Sequence, residues 1–336
     1  MPITLDPTRF NPDGLALSKD YADTMNGVVL PYLQSVRTDT VVRGAGDRPI
    51  FASRFDAENP VGTVMIVHGF TENGEKFDEL THSLLSRGAS VVAFDQRGHG
   101  RSWRAEGLDG PSLTHVDRFG EYVADMKAVV DQVLAGMPRP WSVFAHSMGG
   151  AVTALFLETY PEVFDGAAVL CAPMIAPNLR GIPAPIGRVI CGVPKLLGRG
   201  RKRMFISRPY VYPDDFATSC AAGRERFDWY ETLRRDRPEF SNNGPTYSWT
   251  LEAIGVTGKI LAPGAAERIA IPVKIYAAES DDQVMSGPQK QLAARLRRGA
   301  GVTLVPGSKH EIYRSADEVL FPWWHEALAF LILTSI

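Results

Sequence analysis

The feature that most constrains the fold is an alternation of short apolar runs with longer helix-like segments. The apolar runs span residues 63–67, 90–94, 141–145, 167–171, 273–277 and 302–305. Continuous apolarity of this kind is typical of strands covered on both faces, as in a parallel sheet. The helix-like segments span residues 76–87, 118–135, 149–160, 288–298 and 323–333. The pattern predicts an α/β chain with a doubly wound, mostly parallel sheet, to which residues 35–43 and 49–55 would add an antiparallel edge.

Composition and charge narrow the class of protein further. The chain has 336 residues, of which 45% are hydrophobic, so it is long enough to bury a large core. A length of ~150 residues per domain predicts two domains, or one large domain with an insertion. The 36 Lys and Arg residues nearly balance 38 Asp and Glu residues, which does not favour a nucleic-acid partner. The three cysteines form no CxxC pair, which disfavours a disulfide framework and a zinc ribbon.

The first residues bear on where the protein works. The sequence MPITLDPTRFNPDG has Pro and Asp where a signal peptide has a basic start and an apolar run. No uncharged apolar stretch of about 18 residues occurs in the sequence. We therefore expect a cytoplasmic protein.

One segment, residues 172–262, interrupts the alternation and is rich in Pro, Gly and Arg. It carries 14 Lys and Arg residues against 8 Asp and Glu residues, and the stretch 188–208 contains no acid at all. We predict that residues 172–262 form a cap, or lid, on an α/β core made of residues 1–171 and 263–336, in which residues 1–34 are an N-terminal extension. The basic residues are either a solvated surface or part of a functional cap.

The predicted strand at residues 141–145 runs directly into the sequence HSMGG, after which a helical pattern begins. This is a nucleophile-elbow pattern, small-x-Ser-x-Gly, with Ala145 in place of the usual first glycine. The sharp turn lifts the hydroxyl of Ser147 above the sheet, and small neighbours let the helix pack closely against the strand. Ser147 is therefore the candidate nucleophile. The alternative is a serine that only caps the helix.

A second turn supports this interpretation. The sequence HG follows the predicted strand at residues 63–67, and the next residue is Phe70. A turn at this place can supply one backbone donor of an oxyanion hole, and the residue after the nucleophile supplies the other. We therefore predict that the backbone N–H groups of Phe70 and Met148 are the oxyanion donors.

The general base should be a histidine that follows Ser147 in the chain. His310 comes after the last predicted strand, where a loop can reach the elbow, whereas His325 lies in a helix-like run beside two tryptophans. We predict that His310 takes the proton from Ser147 and returns it to the leaving group. His68 and His99 precede the nucleophile and are interpreted as structural.

The acid that orients this histidine should follow the strand at residues 273–277, where Glu279, Asp281 and Asp282 lie. Asp282 begins a pattern of Asp, any residue, Val and an apolar residue, and those apolar side chains would anchor the loop. We therefore predict Asp282 as the acid, with Asp281 as the fallback.

With these residues identified, the chain resembles the bacterial lysophospholipase and monoacylglycerol lipase group of α/β-hydrolases, which are serine hydrolases. The matching pieces are FDQRGHGRS, HVDRFGEYVADM, AHSMGGA, APM, NNGPTYSW and GSKHEI, and they extend from Gly62 to the C-terminal helix. AHSMGG and DQRGHG are shared with many relatives, whereas RFGEYVADM and GPTYSW are more particular. The resemblance assigns the family's catalytic roles to Ser147, Asp282 and His310.

The resemblance also implies a substrate class. It implies hydrolysis of the single acyl ester of a lipid, with a lysophospholipid as the first choice, through an acyl-enzyme on Ser147 and without a metal or organic cofactor. The basic stretch 188–208 would favour an anionic head group, or peripheral contact with the anionic inner face of a membrane. Several apolar residues of the predicted cap would cover an acyl chain or pack the cap on the sheet: Ile182, Ile186, Val189, Ile190, Leu196 and Leu197.

Several alternatives use the same scaffold. A monoacylglycerol lipase, a carboxylesterase, a thioesterase and an S33-type peptidase differ from a lysophospholipase mainly in the shape of the cap. A dehalogenase or epoxide hydrolase is disfavoured, because these need Asp where Ser147 stands. A non-catalytic binding protein with this fold is disfavoured too, because all three triad positions are filled.

Overall fold

The computed structural model describes residues 5–110 and 112–333, which contain one eight-stranded sheet. Numbered along the chain, the strands are β1 Arg37–Arg43, β2 Pro49–Phe55, β3 Gly62–Val67, β4 Ala89–Phe94, β5 Trp141–His146, β6 Ala168–Cys171, β7 Val273–Ser280 and β8 Gly299–Lys309. Their order across the sheet is β1-β2-β4-β3-β5-β6-β7-β8. The pairs β1–β2 and β2–β4 are antiparallel, and the other pairs are parallel. The predicted α/β architecture with an antiparallel edge is therefore confirmed.

Helices cover both faces of this sheet. In the described part of the chain they are α1 Tyr21–Thr24, α2 Leu30–Val36, α3 Asp78–Ser86, α4 Gly120–Gln132, α5 Met148–Thr159, α6 Ala184–Pro194, α7 Arg224–Asp236, α8 Tyr247–Ile260, α9 Ser286–Ala293 and α10 Asp317–Leu333. A π-helical turn at Met25–Val29 joins α1 to α2, and the turn Lys195–Arg199, in which Gly198 has a positive φ, ends α6. The helix predicted over residues 288–298 is shorter than expected, because residues 294–298 form the turn into β8.

Helix α10 begins at Asp317, whereas the sequence pattern predicts a start at residue 323, and it includes Pro322. Proline lacks the backbone N–H of a helix interior and usually ends a helix. Here Leu320, on the N-terminal side of the proline, and Trp324, on its C-terminal side, are both completely buried in the same core. Tertiary packing of one apolar face thus outweighs the local preference.

The central strands explain the continuous apolar runs. Every residue of β3, β4 and β5 is buried. On one face of the sheet these strands pack against Met126 of α4 and Phe156 of α5, and on the other against Leu84 of α3 and Leu328 of α10. Burial of apolar area on both faces stabilises the fold by roughly 25 cal/mol per Å².

The N-terminal segment belongs to the core, although none of its residues carries a family motif. Leu15, Met25 and Val29 are completely buried on the face of the sheet that α3 and α10 cover. The hydroxyl of Tyr21 donates to the carboxylate of Glu79 in α3 at 3.0 Å. This segment therefore contributes to the packing of the sheet.

Residues 172–262 leave the sheet after β6, return to it before β7 and carry helices α6, α7 and α8. Helix α7 is tied to the sheet-covering helices by Arg226, which is almost completely buried. Its guanidinium donates to both carboxylate oxygens of Glu79 at 2.9 and 2.8 Å, and to Asp317 of α10 at 2.8 Å. The paired carboxylates offset the cost of burying this charge.

Helix α6 is held differently. It packs on α8 through a small apolar cluster that contains Cys191, Met204 and Ile254. Gly187 allows this approach, because a Cβ atom at that position would lie 3.1 Å from the side chain of Ile254. The two helices are thus held differently, since buried ion pairs join α7 to the core and a small apolar cluster joins α6 to α8.

We expect the substitution Arg226→Met to lower the free energy of unfolding by about 3–5 kcal/mol, because it leaves the carboxylate of Glu79 buried without its partner. Urea unfolding followed by tryptophan fluorescence measures the change. The matched control is Arg224→Met in the same helix, whose ion pair with Asp228 is exposed on both sides. Exposed pairs contribute little, so this control should unfold like the wild type. Equal midpoints for the two variants would contradict the structural role of Arg226.

Candidate active site

Ser147 lies at the junction of β5 and α5 in a strained turn, with φ 49° and ψ −116°. A positive φ is rare for a residue with a side chain and is found mostly at functional sites. Two backbone hydrogen bonds hold the turn: the N–H of Ser147 donates to the carbonyl of Cys171 at 3.0 Å, and the N–H of Met174 donates to the carbonyl of Ser147 at 2.8 Å. The turn expected from the sequence is therefore present.

The glycine after the elbow is required by close packing of α5 on the sheet. A Cβ atom at Gly149 would lie 2.1 Å from the carbonyl oxygen of Val67 and 2.5 Å from that of His68. Both distances are far inside van der Waals contact, so a larger residue would push α5 away from β3. Ala145, the small residue before the elbow, is completely buried.

A chain of two hydrogen bonds connects the serine to a histidine and an acid. Nε2 of His310 lies 2.8 Å from Oγ of Ser147, and Nδ1 of His310 lies 2.8 Å from Oδ2 of Asp281. A carboxylate only accepts hydrogen bonds, so Nδ1 carries the proton and Nε2 accepts from the serine hydroxyl. Ser147 and His310 are therefore brought together as predicted, in the arrangement that general-base activation of a serine requires.

The acid prediction was wrong by one residue. The structure pairs His310 with Asp281, the fallback, and leaves Asp282 on the surface. The side chain of Asp281 is 9% exposed, whereas that of Asp282 is 63% exposed and lies 3.3 Å from Arg180. Asp281 follows β7 directly, and its Oδ1 accepts the N–H groups of Gln283 and Val284 at 2.9 and 3.0 Å. This local turn directs its other oxygen at His310, and the next side chain then faces solvent.

The surroundings of Asp281 keep it ionised. Burial raises the pKa of its carboxyl, but the hydrogen bond and charge of His310 and the two backbone N–H groups lower it more, so the pKa lies below its ordinary value. An ionised Asp281 holds the proton of His310 on Nδ1, and Nε2 remains free to accept from Ser147.

The two predicted oxyanion donors belong to segments that adjoin the serine. Met148 is the first residue of α5, where a backbone N–H has no partner within the helix. Phe70 follows Gly69, where a Cβ atom would lie only 3.0 Å from Cβ of Ser147. Within the described ranges no acceptor is recorded for the N–H of Phe70 or Met148. Their assignment as oxyanion donors stays a prediction.

A residue of the inserted segment contacts the same turn. The indole of Trp249 in α8 packs on the ring of Phe70 with centroids 4.1 Å apart, and its N–H donates to the hydroxyl of Tyr122 at 3.1 Å. Thr246 caps α8 by accepting the backbone N–H of Trp249 at 3.1 Å. The GPTYSW motif thus forms a turn and the start of a helix, which place the ring of Trp249 against Phe70 in the turn after β3.

The other histidines considered from the sequence lie away from the nucleophile. His68 accepts the backbone N–H of Gln96 on Nε2 at 2.8 Å, and burial lowers its pKa. His99 packs edge-on against His68 with ring centroids 5.1 Å apart. His325 is exposed and contacts Asp13 at 2.9 Å. The structural interpretation of His68 and His99 is confirmed.

Sequence reasoning missed a group of buried charged side chains beside the triad. The carboxylate of Glu72 lies 2.9 Å from Nδ1 of His146 and 3.1 Å from Nζ of Lys76. Lys76 also donates to Glu311, the residue after His310, at 2.6 Å. The signal available in the sequence was a carboxylate and a lysine four residues apart directly after the HG turn.

The apolar residues of the predicted cap do not pack on the sheet. Leu196 and Leu197 are 87% and 72% exposed. Four others lie along α6 or just before it, three of them exposed and one partly buried: Ile182, Ile186, Val189 and Ile190. The structure contradicts the alternative that they pack the cap on the sheet, because the small residues Gly187 and Cys191 occupy the inner side of α6. Their covering of an acyl chain stays a prediction.

Across residues 5–110 and 112–333, no group of three or more His, Cys, Asp or Glu side chains is placed to hold a metal ion. None of the helices described is both long enough and apolar enough to span a membrane.

Comparison with known proteins identifies the family of the chain. Residues 58–317 match the family described as serine aminopeptidase, S33. Lysophospholipase L2 of Escherichia coli K12 is 33% identical over 289 residues, which cover 85% of this chain and 82% of the relative. Monoacylglycerol lipase of Mycolicibacterium smegmatis is 27% identical over 48% of this chain and 58% of the relative.

Solved structures show the same fold. A soluble variant of monoglyceride lipase from Saccharomyces cerevisiae, in complex with a substrate analogue, superposes with a TM-score of 0.65 at 18% identity. The match covers 88% of this chain and 96% of the yeast chain. The elbow, the order of the strands and the family match lead to one conclusion: the chain belongs to the S33 family of α/β-hydrolases, in the group that includes bacterial lysophospholipases and monoacylglycerol lipases.

Proposed function

We propose that this protein is a serine hydrolase that cleaves the single acyl ester of a lysophospholipid and releases a fatty acid. The observation that carries the proposal is the hydrogen-bonded series Asp281, His310 and Ser147 at a strand-to-helix elbow. The substrate class is supported by the similarity to Lysophospholipase L2 over most of both chains.

The acylation step follows from these contacts. Oγ of Ser147 attacks the carbonyl carbon of the ester while Nε2 of His310 takes the hydroxyl proton. The carbonyl oxygen becomes an oxyanion, which accepts the backbone N–H groups of Phe70 and Met148. Collapse of this intermediate breaks the bond to the glyceryl oxygen, and His310 gives its proton to that oxygen. The products are an acylated Ser147 and the deacylated glycerophosphodiester.

Deacylation repeats the same steps with water. His310 takes a proton from the water molecule as the water oxygen attacks the acyl carbon. The second tetrahedral intermediate then expels Oγ of Ser147, which recovers its proton from His310. Asp281 stabilises the imidazolium that forms in both half-reactions and keeps the ring oriented. All bonds are made and broken on groups of this chain, the ester and water.

Monoacylglycerol lipase activity is the second candidate, and the similarity to the mycobacterial enzyme favours it. Both activities cleave one acyl ester of glycerol, and only the lysophospholipid has a head group that carries a phosphate. The basic stretch 188–208 supports the phosphate-bearing head group of the first candidate, because exposed cations such as Arg188 and Arg199 would attract a phosphate.

The basic stretch and helix α6 also support contact with an anionic membrane surface, from which the enzyme would take a lysophospholipid. Helix α6 and the turn after it expose an apolar row that includes Val189, Leu196 and Leu197. Arg188, Arg199 and Arg201 are exposed along the same stretch. Apolar side chains flanked by cations suit the boundary between acyl chains and anionic head groups. We therefore assign to residues 182–201 the role of a membrane-contacting lid.

We expect lysophosphatidylcholine and lysophosphatidylglycerol to be hydrolysed faster than monoacylglycerol when fatty-acid release is measured side by side. The variant Ser147→Ala should lose at least about 10⁴-fold in kcat, because it lacks the attacking oxygen. Faster turnover of the monoacylglycerol would favour the second candidate. An absence of Ser147-dependent release from all three lipids would contradict lipid ester hydrolysis and leave the carboxylesterase, thioesterase and peptidase alternatives.

Two neighbouring carboxylates give a matched test of the acid. Asp281→Asn should lower kcat by about 10³–10⁴-fold, because an amide can neither fix the tautomer of His310 nor stabilise its imidazolium. Asp282→Asn should leave kcat within about twofold, because its side chain is exposed and does not contact His310. Hydrolysis of a p-nitrophenyl ester under saturating conditions measures both. A larger loss in Asp282→Asn than in Asp281→Asn would refute the assignment.

We expect the protein to co-sediment with vesicles that contain phosphatidylglycerol, and to do so less at high salt, since screening weakens the attraction of the cations. Replacing Leu196 and Leu197 together by Ser should weaken partitioning by about 10²- to 10³-fold, because each inserted leucine contributes about 1.5–2 kcal/mol. Replacing Val41, an exposed residue of β1, by Ser is the control. Turnover of a water-soluble ester should be the same in all three proteins. Unchanged partitioning of the double variant would contradict the assignment of residues 182–201 as the membrane-contacting lid.

A further inference from the structure

We propose that Glu72 and His146 act as a pair of positioning residues. They hold the turn at Gly69 and Phe70, called the oxyanion turn, and the backbone of His310 against the nucleophile elbow. The inference rests on the proposed ester hydrolysis and adds to it two side chains that touch no reacting atom. It is carried by the contacts of a buried ion pair that joins three separate segments of the chain.

Glu72 is almost completely buried, and its carboxylate accepts four hydrogen bonds. One oxygen accepts the backbone N–H of Gly69 and, at 2.9 Å, the Nδ1 proton of His146. The other accepts the hydroxyl of Tyr313 and, at 3.1 Å, a proton of Lys76. The bond to Gly69 matters most for catalysis, because Gly69 immediately precedes Phe70, whose N–H is the predicted oxyanion donor.

His146 is the residue immediately before the nucleophile and is also buried. Its Nδ1 binds Glu72, and its Nε2 lies 3.2 Å from the backbone carbonyl oxygen of His310. Its ring centroid is 4.8 Å from that of His310 and 5.1 Å from that of Tyr313. The residue therefore connects the elbow to the loop that carries the general base.

Both ring nitrogens of His146 can donate only if the ring is protonated. Burial lowers the pKa of His146, but the carboxylate of Glu72 outweighs this effect and the pKa is raised above its ordinary value. Burial likewise raises the pKa of Glu72, while the charges of His146 and Lys76 hold it well below its usual range. The two side chains thus form an ion pair with both N–H groups of the ring in use.

The space around Gly69 shows how closely these segments meet. A Cβ atom at this position would lie 2.7 Å from the carboxylate of Glu72, 2.8 Å from Nδ1 of His146 and 3.0 Å from Cβ of Ser147. No side chain fits there, so the oxyanion turn is in direct contact with the ion pair and with the nucleophile. A shift of either charged residue therefore moves the predicted oxyanion donor relative to Ser147.

Positioning of this kind acts on the transition state. The oxyanion exists only after Ser147 has attacked, so a displaced donor weakens binding of the transition state more than binding of the substrate. A displacement of about 1 Å can cost about 100-fold in rate. The expected result of breaking the pair is therefore a lower kcat with a nearly unchanged KM.

The first test is Glu72→Gln, which keeps the shape of the side chain and removes its charge. With a p-nitrophenyl ester, kcat should fall about 10- to 100-fold while KM stays within about twofold. Concentrations of competent enzyme are fixed by titration with a fluorophosphonate. The affinity for a trifluoromethyl ketone, which adds to Ser147 and forms a stable oxyanion, should fall in parallel with kcat.

The matched control is Glu79→Gln. Glu79 is also buried and paired with an arginine, Arg226, but neither contacts the elbow. It should lower stability and leave kcat per titrated site, and the affinity for the ketone, at the wild-type level. Equal kcat for Glu72→Gln and wild type, or an equal loss in both variants, would overturn the proposal.

A double-substitution cycle separates a pair from two independent residues. His146→Asn should lower kcat by a factor similar to Glu72→Gln, and the double variant should lose no more than the worse single variant. Multiplicative losses would mean that the residues do not act together.

His146→Asn also serves as the test if Glu72→Gln does not fold. Failure of the proposed function differs from failure of this inference alone. If the proposed function failed, the wild type itself would show no hydrolysis that depends on Ser147, and the inference would fail with it.

Discussion

The sharp turn at Ser147 is the constraint on which the rest of the site depends. It directs α5 against the backbone of β3 so closely that only glycine fits at position 149, where a Cβ atom would lie 2.1 Å from a carbonyl oxygen. The same approach brings the turn after β3 beside the serine and leaves the N–H of Met148 at the start of a helix. The cost of the strained backbone at Ser147 is offset by burial of the strands on both faces of the sheet. This packing holds the ends of β3 and β5 in register.

Buried charges extend this organisation well beyond the triad. Glu72 and Lys76 contact each other beneath the elbow, Lys76 contacts Glu311, and Glu311 accepts from Arg314 at 2.7 Å. Arg314 in turn donates to the backbone carbonyl of Arg226 at 3.0 Å. A buried charge is costly when it loses its partner, so each of these residues constrains the position of the next. These contacts join α7 to the loop that carries His310 through the backbone of Arg226, so they do not depend on the side-chain ion pair of Arg226 with Glu79.

The sheet and much of the site could be predicted from the sequence, because apolar periodicity and the elbow motif are local signals. The six apolar runs became strands, and Ser147 and His310 came together as expected. The choice between Asp281 and Asp282 could not be made in this way. The two residues have the same side chain, and the turn after β7 decides which of them faces His310. The ion pair of Glu72 and His146 was missed for a related reason, since its partners come from distant parts of the chain.

Helices α7 and α6 of the inserted segment are held by different interactions, and this difference suits them to different roles. Helix α7 is joined to the core by Arg226, so breaking that contact leaves buried charge without a partner. Helix α6 packs on α8 through a small apolar cluster, and the turn after α6 exposes Leu196 and Leu197, which a protein surface facing water would not favour. A lipid surface would cover those side chains at little cost to the rest of the fold. In the proposed function, contact with a membrane would therefore change at residues 182–201, while the geometry around Ser147, which depends on the buried charges, would stay fixed.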